Sequence, residues 1–183
     1  MKNSSDIRSV QARGFTLLEL IVVVCILAIL GGTLLNRIWF YQEQAERAAM
    51  EQVASALQSA LTLEFGRLMI RGKDSGASAL AMENPMNWLA RKPSNYEGEF
   101  YKPTPQSVPP GSWMFDLKSR DLIYIVERGE YFTPGKDGVK WVRYHVKLIY
   151  EDTPVGDSKA NRPVSGAIIE PVETYLWFDR RLR

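Results

Sequence analysis

The sequence predicts an α+β fold, in which a long N-terminal helix packs its second half on an antiparallel sheet of three or four strands. Three observations lead there. No proline precedes Pro85, so nothing forces a helix in the first third of the chain to break. Residues 45–68 repeat apolar side chains at three- and four-residue spacing, which puts them on one helical face. From Ser112 onward, short runs rich in Val, Ile, Tyr, Phe and Trp are separated by turn residues, the pattern of paired strands.

The chain has 183 residues, 24% of them charged and 45% hydrophobic, with a formal net charge of +2. That is the composition of one folded domain with appendages. No face-sized block of Lys or Arg occurs, which argues against nucleic acid as a partner. The first distinctive stretch is RGFTLLELIVVVCILAILGGTLL, beginning at Arg13. Between residues 15 and 35 the only charged residue is Glu19. About 21 residues at 1.5 Å each span about 30 Å, one hydrocarbon thickness. Cys25 lies inside this run and is the only cysteine. No intrachain disulfide can form, and a CxxC metal or redox motif is excluded. Cys25 reads as a small hydrophobe.

The helix is expected to continue past the membrane over residues 39–71. Its apolar stripe comprises Ala45, Ala49, Val53, Ala56, Leu57, Ala60 and Leu63, with Arg47, Glu51, Ser55, Gln58 and Thr62 opposite. Gly72 and Gly76 end it. Asn84-Pro85 opens a short helix through about Ala90, as an N-cap followed by a first-turn proline. Pro93, Pro103, Pro105, Pro109 and Pro110 mark an irregular segment. SWMFDL and DLIYIVE are joined across Lys118-Ser119-Arg120, a hairpin-length connection. In VKWVRYHVKLIYE, Val142, Tyr144, Val146, Leu148 and Tyr150 alternate with Arg143, His145 and Lys147, so one sheet face is covered and His145 lies on the polar side. Residues 152–166 read as a polar loop. AIIEPVETYLWF reads as a last strand, with Pro171 at an edge or bulge.

The apolar run admits three readings. A secretory signal peptide fits the basic residues Lys2, Arg8 and Arg13, but the run is longer than an ordinary h-region and no A-x-A site follows. A plain signal anchor gives a cytoplasmic N-terminus by the positive-inside rule and leaves Glu19 unexplained. The third reading accounts for Glu19. RGFTLLELIVVV resembles the class III signal of type IV prepilins and pseudopilins: a glycine, an aromatic residue, a TLxEL core and an uninterrupted apolar run at fixed spacing. The resemblance implies cleavage by a prepilin peptidase after Gly14, N-methylation of the new terminal residue Phe15, and a role for Glu19 in subunit assembly. In such filaments the acid of an incoming subunit is thought to pair with the terminal amine of its neighbour. The implied organisation is a leader over 1–14, a membrane helix over 15–38 and its amphipathic continuation over 39–71. An irregular region with a short helix follows over 72–111, and then the sheet over 112–183. Residues 39–183 form one globular domain.

Catalytic motifs are lacking. No G-x-S-x-G elbow, P-loop or dinucleotide-binding glycine pattern is present. Asp152 and Asp157 share a loop without calcium-loop spacing. The expectation is therefore a non-enzymatic protein with no metal and no cofactor. Two departures from abundant pilins stand out. Asn36 occupies the position where major subunits usually carry proline, and a C-terminal disulfide is impossible. Both favour a minor pilin or pseudopilin, a structural subunit of a type IV pilus or a type II secretion pseudopilus. The alternative is a minor pilin acting as a binding module for DNA, a surface or secreted cargo, although Arg91, Lys92, Tyr96 and Tyr101 are sparse for nucleic acid. Expected partners are the prepilin peptidase, other pilins or pseudopilins and an inner-membrane assembly platform. The expected location is the bacterial inner membrane, crossed once, with the C-terminal domain periplasmic.

Overall fold

The computed structural model describes residues 15–71, 76–151 and 164–178. Two compact units divide the chain, Met1–Tyr41 and Gln42–Arg183. Helix α1 (Leu17–Ile70) contributes to both. Its part in the first unit is the apolar run, and its large side chains, from Leu17 to Leu35, are exposed.

In the second unit α1 packs on a sheet, the α+β architecture expected of a pilin-like chain. Helix α2 (Ala77–Leu80) and a 3-10 turn (Pro85–Trp88) follow α1. Strands β1 (Tyr96–Phe100), β2 (Trp113–Asp116), β3 (Leu122–Ile125), β4 (Phe132–Thr133), β5 (Trp141–Tyr150), β6 (Val164–Pro171) and β7 (Leu176–Trp177) complete it. The main sheet has the order β1-β2-β3-β5-β6, and β4 pairs separately with β7. The segment β2-β3-β5-β6 is antiparallel, as expected. The sheet is nevertheless mixed, because β1 runs parallel to β2. β1 arises in the proline-rich stretch read as irregular. Its pairing is interrupted between Tyr96 and Glu99, where Gly98 adopts φ +113, a conformation glycine tolerates without steric cost. A five-residue strand with a bulge leaves no period to detect. AIIEPVETYLWF is likewise two strands rather than one. β6 ends at Pro171, and Leu176–Trp177 joins the other sheet.

The sheet is covered on both faces. Trp113, Phe115, Leu122, Tyr124, Val142 and Tyr144 face Met50 and Leu57 of α1. Met114, Ile123 and Ile125 point the opposite way and are buried with Val108 and Phe100, so the segment after β1 covers part of the second face. This explains why β3 is an unbroken apolar run. The Asn84-Pro85 expectation holds in shortened form: the Asn84 carboxamide accepts from Met86 N–H at 3.0 Å, and the turn stops at Trp88.

The buried face of α1 is only partly the predicted one: Leu57 is buried and Val53 packs against the core, as expected. Glu43, Glu46, Met50, Leu57 and Leu61 are buried, whereas Ala45, Ala49, Ala56 and Leu63 are exposed. The true stripe is turned by about one residue, or about 100°. The reason is that its first two positions are acids. Glu43 is 1% exposed; its carboxylate accepts from Tyr131 N–H (2.9 Å), Glu130 N–H (3.2 Å) and the Trp177 indole N–H (2.9 Å). Glu46 accepts from Glu127 N–H (2.7 Å), Arg128 N–H (2.8 Å) and the Tyr124 hydroxyl (3.1 Å). These charge-assisted bonds replace the water that the carboxylates lose and tether the β3–β4 loop to the helix. Burial, reinforced by the Glu46 charge, pushes the Tyr124 hydroxyl well above its ordinary range.

Gln58, expected on the solvent side, is also used. Its amide oxygen accepts from Ile169 N–H at 2.7 Å, and its amide nitrogen donates to Ala167 C=O at 3.3 Å. These two groups lie on the outer edge of β6, so one side-chain amide stands where a neighbouring strand would pair. Edge strands left open invite pairing with other chains. Here Gln58 occupies one end of the sheet, and the bulge blunts the other.

The β2–β3 connection depends on two aspartates. Asp116 accepts from Lys118 N–H (2.8 Å), the Ser119 hydroxyl (2.9 Å) and Lys102 N–H (3.1 Å). Burial alone would raise its pKa, but these bonds together hold it below the ordinary carboxylate value. Arg120 takes φ +64 and closes the turn by donating its N–H to Asp116 C=O at 2.8 Å. Asp121 is buried, and that desolvation raises its pKa against the lowering effects of Ser119, Arg143 and His145.

Two outcomes follow for stability. Glu46→Ala strands two loop N–H groups and a hydroxyl, and is expected to cost about 3 kcal/mol; Glu46→Gln keeps an acceptor and costs less. Thermal unfolding of the detergent-solubilised chain, followed by circular dichroism, measures both, and an Ala variant as stable as wild type would contradict the tether. For Asp121, a raised folded-state pKa means the folded chain holds its proton to higher pH than the unfolded chain. That contribution favours folding at low pH and is lost as pH rises through the folded value. Asp121→Asn should therefore raise Tm relative to wild type near pH 7, with the gain shrinking as pH falls through the raised folded value and gone below about pH 4.

Candidate functional site

The site begins where the described chain begins. Gly14 lies outside the described residues; Phe15 is the first of them and is exposed. Thr16 caps α1: its hydroxyl accepts from Glu19 N–H at 3.2 Å, and its carbonyl accepts from Leu20 N–H at 3.1 Å. Thr-x-x-Glu is the sequence form of a capping box, so TLLE carries a helix-start signal within the motif. Sequence reasoning passed over Thr16, although the spacing was there to find it.

Glu19 sits in the first turn of α1, where the positive end of the helix dipole favours an acid. Its backbone N–H is used by Thr16, but its carboxylate accepts no hydrogen bond and forms no ion pair among the described residues. Val22 and Val23, one turn further on, share its side of the helix. The helix from Leu17 is long and apolar enough, by length and composition, to cross a membrane, and none of its apolar window is buried. Cys25 is free and exposed on it. Glu19 thus differs from Glu43 and Glu46 on the same helix, whose carboxylate oxygens are taken by N–H and O–H donors.

The globular unit offers little that resembles a reaction centre. His145 Nε2 is 3.7 Å from Glu170 Oε1, but that oxygen also receives Lys147 Nζ at 2.8 Å, and both His145 and Glu170 are half-exposed on the polar sheet face. Arg143 is held by Glu173 at 2.8 Å, with Asp137 at 3.7 Å. An open groove of about 740 Å³ runs between Ala49, Gln52 and Ala56 of α1 and the segment bearing Leu89, Arg91 and Lys92. No acid or histidine lines it, so it lacks a general acid–base pair. Among the described residues no three His, Cys, Asp or Glu side chains gather as metal ligands. Asp152 and Asp157 lie outside the described residues.

Residues 11–35 match the family model described as the prokaryotic N-terminal methylation motif. The match takes in Gly14, Phe15 and Glu19, and extends through the exposed apolar part of α1. The motif implies processing by a prepilin peptidase. Comparison with curated proteins and with solved structures finds no match. Residues 11–35 thus carry the N-terminal methylation motif diagnostic of type IV prepilins and pseudopilins, and this motif leads into a helix that packs on a sheet.

Proposed function

We propose that the protein is a structural subunit, a minor pilin or pseudopilin, built into a type IV pilus or a type II secretion pseudopilus. The observation that carries this reading is the Glu19 carboxylate, without a partner among the described residues, on an apolar helix whose apolar window is unburied. An acid near the centre of a bilayer costs about 3 kcal/mol on insertion scales, and less near the edge. A positive amine created at Phe15 by cleavage after Gly14 supplies the matching charge. Within one chain that amine and Glu19 belong to the same first turn. Between chains, the amine of one helix meets the acid of the next when apolar faces pack side by side. The pair contributes register more than net stability, as desolvated ion pairs often do.

On this reading residues 1–14 are the leader removed by the peptidase, and Phe15 is then N-methylated. Residues 15–38 wait in the inner membrane with the N-terminus cytoplasmic, and residues 39–183 fold in the periplasm. Other pilins or pseudopilins and the assembly platform draw the subunit into a filament. The protein performs no catalysis. Asn36 in place of a proline, together with the lone cysteine, supports a subunit of low copy number. The basic rim of the open groove, Arg91 and Lys92, is what favours the second reading, a minor pilin that also binds cargo or a surface.

Two variants test the assembly role in cells carrying the peptidase and the other subunits. Glu19→Ala should be cleaved and inserted normally but enter sheared filaments at a small fraction of the wild-type amount; equal incorporation would reject the pairing. Gly14→Leu should leave the leader in place, seen as an unprocessed band, because a bulky side chain obstructs the scissile position.

A further inference from the structure

The apolar part of α1 ends in a group of exposed side chains that neither the processing motif nor the core employs, Arg37, Trp39 and Tyr41, with the half-buried Phe40 among them. Trp39 is 63% exposed and Tyr41 55%. Arg37 is exposed, with no ion pair among the described residues. The Phe40 and Tyr41 rings meet edge-on, with centroids 5.7 Å apart. Polar sequence resumes at once with Gln42, Glu43 and Gln44, and the first compact unit closes at Tyr41.

The arrangement around the helix is informative. Successive residues are about 100° apart, so Trp39, Phe40 and Tyr41 point in three directions spread over about 200° of the helix circumference. A protein groove is matched by side chains on one narrow face, whereas a planar interface accommodates side chains spread more widely around the helix at one level. Trp and Tyr favour the membrane–water boundary because they join an apolar body to a hydrogen-bonding tip. Arg adds a guanidinium suited to a phosphate diester. The spacing agrees. Trp39 lies about 20 residues beyond Glu19, or about 30 Å along the helix, which is one hydrocarbon thickness.

We propose that Arg37, Trp39 and Tyr41 form a lipid-headgroup anchor that sets the depth of α1 and so holds Glu19 at the opposite hydrocarbon boundary. There the carboxylate keeps contact with water and counterions until a partner's amine replaces them. Were the helix free to slide outward by one turn, Glu19 would enter hydrocarbon with no cation to meet. The anchor is thus a positioning device for the acid, acting through the length of the apolar run.

This inference rests on the membrane stage of the proposed function, and the experiment separates the two. The full chain is reconstituted in vesicles of phosphatidylethanolamine and phosphatidylglycerol and floated on a gradient. Tryptophan emission is then compared between wild type and Trp39→Phe, in lipids brominated near the headgroup or near the chain end. The emission lost in Trp39→Phe should be strongly quenched by bromine near the headgroup and weakly by bromine at the chain end. A fluorophore on Cys25, the one thiol, gives a second readout. Combining Trp39→Leu with Tyr41→Leu lengthens the apolar run and should shift the depth of that label. If the chain floats but Trp39 is quenched by neither lipid, or the Cys25 label does not move, the anchor is refuted and the membrane stage stands. Quenching by neither lipid would mean that protein, such as a second copy, covers the ring. If the chain fails to float, the membrane stage falls and the anchor with it.

Discussion

A carboxylate inside an apolar helix must find a donor, a cation or water, and the position of Glu19 makes that demand on everything around it. Among the described residues, the flanking side chains supply none of these to it. Thr16 uses the backbone of Glu19 rather than its acid, and the neighbours one turn on are valines. On the proposed reading the charge is met at the hydrocarbon boundary or by another molecule. The methylation motif and the exposed apolar face are consistent with that requirement, and the proposed reading of the protein as an assembling subunit follows from it.

The same helix shows the opposite solution further along. Glu43 and Glu46 are one turn apart and buried, and their carboxylates accept from backbone and side-chain donors of β3, the β3–β4 loop and β7. Arg47 adds a bond from its guanidinium to the Trp177 carbonyl at 2.8 Å. These acids fix the rotation of the helix on the sheet. By doing so they decide which side of α1 remains outside: the alanine-rich side, with Ala45, Ala49 and Ala56. Intramolecular pairing at Glu43 and Glu46 serves folding, while the Glu19 carboxylate has no such partner among the described residues.

The motif was legible because its chemistry is local. A glycine, an aromatic residue, a capping threonine and an acid at fixed spacing need no tertiary context, and the apolar run declares itself by length. The strands β2, β3 and β5 were legible for a similar reason: their alternation and turn residues are local. What escaped was set by distant partners. The buried face of α1 was partly misread because glutamates count as solvent-facing until the loop that satisfies them is known, and because alanine carries too little area to fix a face. β1 hid among prolines because its partner β2 lies beyond a loop and the pairing is bulged. The split of the last strand into β6 and β7 depended on β4, a two-residue strand with no signal of its own. Gln58 was placed with the polar face since nothing local reveals that a sheet edge will end beside it.

The most direct measurement is the mass of the N-terminal peptide from the chain purified out of cells that carry its peptidase. The account predicts a product lacking residues 1–14 that starts at Phe15 and bears one added methyl group on its amine. A chain that keeps those residues, or that starts at any other position, would leave Glu19 without its intended cation and contradict the account.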